Sequence, residues 1–186
     1  MKTNIIPAIR LTIISLLFFS GVYTLVIWGV AQLAPNQGKG EVVTQNNKKY
    51  YVNIGQAFTK DEYFYSRPSA VNYNAAGSGA SNKGASNPEY LQMVQTRIDT
   101  FLVHNPEIQK KDVPVELVTA SGSGLDPDIS PKAALVQVKR IAKVRALPEA
   151  KVQQLVAQHT QQPLLGFLGT TKVNVLQLNL ALDQLK

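Results

Sequence analysis

Residues 11–33 read LTIISLLFFSGVYTLVIWGVAQL, 23 consecutive positions without a charged side chain. At ~1.5 Å rise per residue a helix of this length reaches roughly 35 Å, enough to cross a hydrocarbon core of about 30 Å. The segment must be helical in lipid because lipid offers backbone N–H and C=O groups no hydrogen-bond partner. The sequence therefore predicts a transmembrane helix at 11–33, with Trp28 near the membrane interface.

A cleaved signal peptide is the alternative, since Gly29-Val30-Ala31 resembles a small-x-small cleavage site. The apolar core of a signal peptide is about 7–15 residues, and this stretch is longer, which favours a retained anchor. Lys2 and Arg10 flank only its N-terminal end, and basic flanks remain in the cytoplasm. We therefore expect residues 1–10 to be cytoplasmic and the chain from Leu33 onward to lie outside the cytoplasm.

The whole chain predicts an α+β fold: one N-terminal transmembrane helix followed by a single small mixed α/β extracytoplasmic domain. Residues 34–40 form a polar linker, and residues 41–186 suffice for one compact core. The C-terminal residues also fit a strand by alternation, but spacing behind Asn174 favours a helix. The predicted elements are strands at 49–54 and 113–118, a small-residue loop at 75–88, and helices at 88–104, 131–146, 148–158 and 175–185.

Composition excludes several classes of function. The chain has no cysteine, which removes disulfide scaffolds, thiolate metal sites and cysteine nucleophiles. Its only histidines, His104 and His159, are too few for a His-rich metal centre, so no metal site is expected. Beyond the apolar stretch 17 basic and 12 acidic residues remain, and they are spread along the chain. Nucleic-acid binders cluster their basic residues with aromatics, so no nucleic-acid partner is expected.

The most distinctive stretch is TASGSGLDPDISP at 119–131, between a predicted strand and a predicted helix. A glycine-rich turn before a helix can bind an anion with its backbone N–H groups. The Walker and GxGxxG patterns are absent, and Asp126 and Asp128 place negative charge where an anion would bind. A capping role for Asp128 or Ser130 is the simpler interpretation. The two carboxylates could also attract K⁺.

A serine hydrolase using Ser123 with His159 is a further hypothesis, although the G-x-S-x-G frame is missing. His104 is expected to meet carbonyls at a helix end. Lys132, Lys139 and Lys143 form a basic stripe, with Arg140 and Arg145 nearby, which is expected to be a solvated face or a surface for an acidic partner. Composition and spacing alone thus indicate a membrane-anchored domain without a convincing active site.

Several phrases of the sequence occur together in one known family. They are Gly55-Gln56-x-Phe58, Tyr63-Phe64-x-x-Arg67-Pro68-Ser69-Ala70, Ser81-Asn82-x-Gly84-x-Ser86-Asn87-Pro88, LVTASGSGLDPDISPKAA at 117–134 and VNVLQLNLALD at 173–183. With these phrases the chain resembles the C subunit of the Kdp potassium-transporting ATPase, and the resemblance covers effectively the whole chain. One departure is Ala146, where the family often has glycine.

The resemblance implies a non-catalytic subunit of a bacterial inner-membrane potassium-uptake complex. Its expected partners are membrane lipid, a channel-like potassium-binding subunit, a P-type ATPase subunit and a small single-helix subunit. The family is described as a catalytic chaperone that raises the ATP affinity of the ATPase subunit. We expect no cofactor on this chain, because an extracytoplasmic domain cannot touch cytoplasmic ATP. The residues of the partner or nucleotide surface would be Gln56, Ser81, Asn82, Asn87, Ser121, Gly122, Ser123, Gly124, Asp126 and Asp128.

Overall fold

The computed structural model describes residues 4–34, 36–45 and 47–185, in two units that meet between Val42 and Val43. In the first unit, Ile5–Ala31 form one helix of 27 residues (α1), whose middle part, Leu17–Tyr23, is a wider π-helix. By length and composition α1 is able to cross a membrane. It begins six residues before the predicted start, and Pro7 is tolerated in its first turn because no N–H partner is needed there.

The second unit is a mixed α/β fold with two small sheets, as the sequence predicted. One is a hairpin, and the other is antiparallel with the strand order β3-β5-β4. The elements are β1 (Val42–Gln45), β2 (Lys48–Tyr51), α2 (Pro88–His104), β3 (Asp128–Ile129), α3 (Pro131–Leu135), α4 (Val138–Arg145), α5 (Glu149–Gln158), β4 (Thr160–Gln161), β5 (Lys172–Asn174) and α6 (Val175–Gln184).

Three side-chain caps fix the starts of helices. Asn87 accepts from the N–H of Tyr90 at the start of α2, and Ser130 and Asn174 cap α3 and α6 in the same way. Each cap satisfies a first-turn amide that has no partner within the helix. The C-terminal stretch is therefore a helix behind Asn174, as its spacing predicted.

One hydrophobic core holds the second unit together. The apolar faces of the helices and sheet meet there, and their side chains are removed almost completely from water, which is the dominant favourable contribution to folding. The largest fully buried apolar side chains are Phe64, Val138, Ile141, Val152, Val156, Val173, Val175, Leu178 and Leu182.

Residues 52–87 cross this core without forming a helix or strand. Side chains take the place of a partner strand: the amide of Asn179 brackets Phe64, accepting from its N–H at 2.9 Å and donating to its C=O at 3.0 Å. Gln137 Oε1 accepts from the N–H of Tyr65 at 2.8 Å. The N–H and C=O of Phe64 and the N–H of Tyr65 are thereby paired where the segment lies against the core.

Two predicted elements are wrong. Residues 113–118 are not a strand, and Val115–Leu117 form a short 3₁₀ turn. Pro114 lacks an N–H for a ladder, and Thr119 N–H bonds back to Val115 O. The helix predicted at 131–146 is interrupted between α3 and α4, where Gln137 turns its side chain into the core. The strand predicted at 49–54 is shorter than expected and ends at Tyr51.

Candidate functional site

The segment singled out by sequence forms a tight turn held by its own serines. Gly124 N–H donates to Ser121 Oγ at 2.9 Å, and Leu125 N–H donates to Ser123 Oγ at 3.1 Å. The two hydroxyl oxygens lie 3.3 Å apart. Ser121, Gly122, Ser123 and Gly124 therefore form a turn that is stabilised from within.

This turn packs against the small-residue loop that precedes α2. Gly79 N–H and Ser78 Oγ both donate to Ser123 O, at 2.8 and 3.0 Å. A side chain at Gly124 would place Cβ 2.7 Å from Gly79 O, and its φ of +67° also favours glycine. We call residues 77–79 together with 121–128 the Gly/Ser junction.

The two acidic residues of the junction are paired with cations. Arg67 Nη1 lies 2.7 Å from Asp126 Oδ2, and Lys172 Nζ lies 2.6 Å from Asp128 Oδ2. Asp126 Oδ1 also accepts from the N–H of Asp128 at 3.0 Å. The prediction that these carboxylates attract K⁺ is therefore not supported, since each negative charge already has a positive partner.

Gln56 lies beside the junction. The N–H of its neighbour Gly55 donates to Leu125 O at 2.7 Å, and Gln56 O accepts from Ser66 Oγ at 2.6 Å. An open cavity of about 640 Å³ adjoins this place and is lined by backbone and small side chains of the junction together with Arg67. The cavity is wide open to solvent, whereas a small-molecule pocket encloses most of its ligand.

The other predicted site residues lie apart from this cavity. Asn87 is the cap of α2, and Ser81 and Asn82 are exposed on the loop before it. None of the three is among the cavity-lining residues of the described chain. The predicted site residues therefore fall on two surfaces, the junction and the exposed loop 80–86, which are joined at Gly79.

Phosphate binding by the turn is not favoured by its geometry. The N–H groups of Gly124, Leu125 and Asp128 are occupied by side-chain oxygens of the turn itself. The helix that follows, α3, has only five residues and its first amides are capped by Ser130. A phosphate would have to displace these bonds before it could use the amides.

The hydrolase hypothesis lacks a nucleophile–base pair. Ser123 Oγ contacts Ser121 and Leu125 N–H, whereas His159 Nδ1 lies 3.0 Å from the carbonyl of Leu155 in its own helix. A serine nucleophile needs a base within hydrogen-bond reach. His104, expected to meet helix carbonyls, instead lies 2.8 Å from Asp61 Oδ1.

The sequence analysis missed a buried polar cluster around Arg140, which it placed near an exposed basic stripe. Arg140 is only 7% exposed; it donates to Asn105 Oδ1 at 3.1 Å and Gln137 Oε1 at 2.7 Å, and it stacks over the Tyr65 ring. Burial lowers the pKa of its guanidinium. Part of the signal was available, because helical spacing places Gln137 on the apolar face of Ala134 and Ile141, whereas it places Arg140 closer to Lys143.

Tyr65 and Asp61 form the edge of this cluster. Burial, and then the hydrogen bond to Asp61, raise the pKa of the Tyr65 hydroxyl to about 12. The same hydrogen bond, followed by the contact with His104, lowers the pKa of Asp61. These shifts accompany a structural network, because every group in it has a partner within the fold.

The class of protein that the fold defines is a compact α+β unit joined to one helix that is long and apolar enough to cross a membrane. Comparison with known proteins is more specific. The family model "K+-transporting ATPase, c chain" matches residues 5–184. The potassium-transporting ATPase KdpC subunit of Flavobacterium psychrophilum is 55% identical over 184 residues, covering 98% of this chain and 99% of the relative. The same subunit of Bacteroides fragilis is 52% identical over 190 residues, covering 100% and 99%.

The chain therefore belongs to the KdpC family, the c chain of the K⁺-transporting ATPase complex, as its sequence phrases predicted.

Proposed function

We propose that this chain is a non-catalytic, single-pass accessory subunit that assembles and stabilises the potassium-transporting complex. ATP hydrolysis then belongs to a P-type ATPase subunit, and the other partners are a channel-like potassium-binding subunit and a small single-helix subunit. The names of the relatives support membership of the complex. The Gly/Ser junction uses its serine hydroxyls and Asp126 in hydrogen bonds and an ion pair within the chain, which supports a structural rather than a chemical role.

The orientation is part of the proposal. Lys2 and Arg10 are the only charges before the long apolar stretch, so the N-terminus is assigned to the cytoplasm and the α+β unit to the outside. In this orientation α1 packs on the channel-like subunit, and the outer unit docks near the ion entrance. The rise in ATP affinity described for the family must then be transmitted through the partner subunits.

The docking role is proposed for the surface formed by the exposed loop 80–86 and the outer side of the junction. Adding a Cβ at Gly84 or Gly122 would meet no atom within 4 Å, so the backbone there is open to a partner. Short side chains let two backbones approach closely and lose little conformational entropy on binding. The surface therefore fits a protein backbone.

Bulky residues at these two glycines test the docking role without disturbing the fold. We expect Gly84→Arg and Gly122→Arg to fold normally but to reduce co-purification of the partner subunits in mild detergent. Ala150→Arg, on the exposed first turn of α5, is the matched control and should retain the partners. An intact, fully active complex with both glycine variants would contradict docking by this surface.

Orientation is tested separately with a single cysteine, since the chain has none. Val103→Cys, at an exposed position near the end of α2, should react with a membrane-impermeant maleimide in intact spheroplasts. Reaction only after lysis would place the unit in the cytoplasm and would favour direct ATP binding instead.

A further inference from the structure

The hairpin between β4 and β5 carries an exposed apolar tip, residues 163–168, with the sequence PLLGFL. Leu165 and Phe167 are 75% and 74% exposed, and Leu164 and Leu168 are each more than half exposed. Large apolar side chains concentrated in this way on a surface mark an interaction site. Neither the proposed docking surface nor the Arg140 cluster includes them.

The apolar tip is organised by its own backbone. Leu164 and Leu168 exchange both N–H···O bonds, at 3.0 and 2.9 Å, and Gly166 N–H bonds to Pro163 O at 2.9 Å. Leu165 and Gly166 have the positive φ values, 55° and 82°, of a tight hairpin turn. The tip thus presents apolar side chains while pairing much of its backbone, which is what an apolar environment requires.

The charge distribution around the apolar tip is equally distinctive. The sequence contains no Lys, Arg, Asp or Glu from Val152 to Thr171. The first charge after the tip is Lys172, at the base of the hairpin in β5. Lys172 is paired with Asp128, so its charge is balanced within the fold. Because moving a charge into lipid is costly, an uncharged tip is suited to the boundary between headgroups and acyl chains.

The covalent tether keeps the apolar tip close to lipid. Ten residues separate the end of α1 at Ala31 from the start of β1 at Val42, and they span at most about 35 Å when fully extended. If α1 crosses a bilayer, the second unit remains within this distance of its surface on either side. Tethering raises the effective concentration of the membrane, so even a weak insertion is populated.

We propose that the apolar tip inserts into the headgroup–acyl boundary of the same bilayer that α1 crosses. Leu165 and Phe167 enter first, because they stand at the turn and are the most exposed. This contact gives the tethered unit a second attachment point, which limits its rotation about the linker. The proposal goes beyond the docking role and does not depend on it, since it concerns the chain in a bilayer without partners.

Spin-label accessibility tests the insertion directly. Phe167→Cys carries the nitroxide, and Val115→Cys, equally exposed but remote in sequence, is the matched control. The full chain is reconstituted alone, at fewer than one copy per vesicle, in equal parts phosphatidylethanolamine and phosphatidylglycerol. We expect collisions with oxygen, which partitions into lipid, to exceed those with a water-soluble nickel chelate at position 167, and the reverse at 115.

Equal, water-like accessibility at both positions would overturn the proposal. Low accessibility of position 167 to both reagents would also overturn it, because the tip would then be buried against protein. The same measurement in the assembled complex must retain the oxygen preference; its loss there would identify a protein partner as the occupant instead.

A second variant avoids the bulk of the label. Trp28→Phe combined with Phe167→Trp leaves one tryptophan, at the apolar tip. Its emission should shift to the blue and be quenched by brominated phosphatidylcholine in mixed vesicles. An unquenched, water-like emission from a folded chain would count equally against insertion.

Discussion

Arg140→Met should strongly destabilise the second unit. The guanidinium donates to the carbonyl of Tyr63 at 3.1 Å and to the side chains of Asn105 and Gln137, and it also contacts the Asp61 carbonyl. Methionine fills a similar volume but donates no hydrogen bond, so several acceptors at the core boundary lose their partner. The stacking on Tyr65, with 3.9 Å from Cζ to the ring centroid, is lost as well.

The expected cost is about 4 kcal/mol. Removing one member of a buried, fully paired polar cluster costs about 3–5 kcal/mol, because the remaining groups stay desolvated. A domain of this size has a total stability of about 5–15 kcal/mol. At about 3 °C per kcal/mol, the melting temperature of the unit should fall by about 12 °C.

Urea unfolding of the full chain in mild detergent, followed by far-ultraviolet circular dichroism, measures this change, since a detergent-embedded helix resists urea. Lys139→Met is the matched control, because Lys139 is next to Arg140 in sequence, but its side chain is exposed and forms a surface ion pair with Glu107. We expect that variant to cost less than about 0.5 kcal/mol. A loss below about 1 kcal/mol for Arg140→Met, or equal losses for the two variants, would refute the role given to the cluster.

Three further changes are expected to alter stability in different directions, each measured as the free energy of unfolding in urea. The hydrogen bond from Tyr65 is the first cause that lowers the pKa of Asp61 in the folded state. The stability that Asp61 contributes is therefore present above its ordinary pKa and is lost as the pH falls through the lowered value. Asp61→Asn should flatten the decline in the free energy of unfolding below about pH 5, and an unchanged decline would contradict this role. Ala146 ends α4 in the left-handed region at φ 53°, so Ala146→Gly should stabilise by about 1 kcal/mol, and a loss would contradict the strain. Gly124→Ala should cost at least about 2 kcal/mol, because its Cβ would lie 2.7 Å from the facing carbonyl. Gly122→Ala, where the added Cβ meets no atom, should cost less than about 0.5 kcal/mol. Similar costs for the two variants would argue against close packing of the junction.

The local part of the fold was predictable from the sequence. Apolar spacing placed α2, α5 and α6, and the caps Ser130 and Asn174 marked helix starts, because these signals depend only on neighbouring residues. The strands were harder to place. β3, β4 and β5 have two or three residues each, and their pairing is set by distant contacts rather than by local alternation.

The long segment 52–87 was the least predictable part. It has no ladder partner, and its place is fixed by Asn179 and Gln137, which a sequence pattern treats as polar surface residues. Arg140 was placed only near a basic stripe, and its burial was not predicted. A polar residue within an apolar helical stripe is the signal that was available, and here it marks side chains that pair with buried backbone.

The most specific phrase in the sequence is accounted for by internal bonds rather than by ligands. Its serines hold the amides of Gly124 and Leu125, its aspartates pair with Arg67 and Lys172, and Gly124 allows the close approach of the facing loop. Substituting any of these residues perturbs the fold before it perturbs a partner, so loss of function there would not identify a binding site. Only outward positions such as Gly122 separate the two effects, because a Cβ added there meets no atom of this chain within 4 Å and leaves the fold unperturbed.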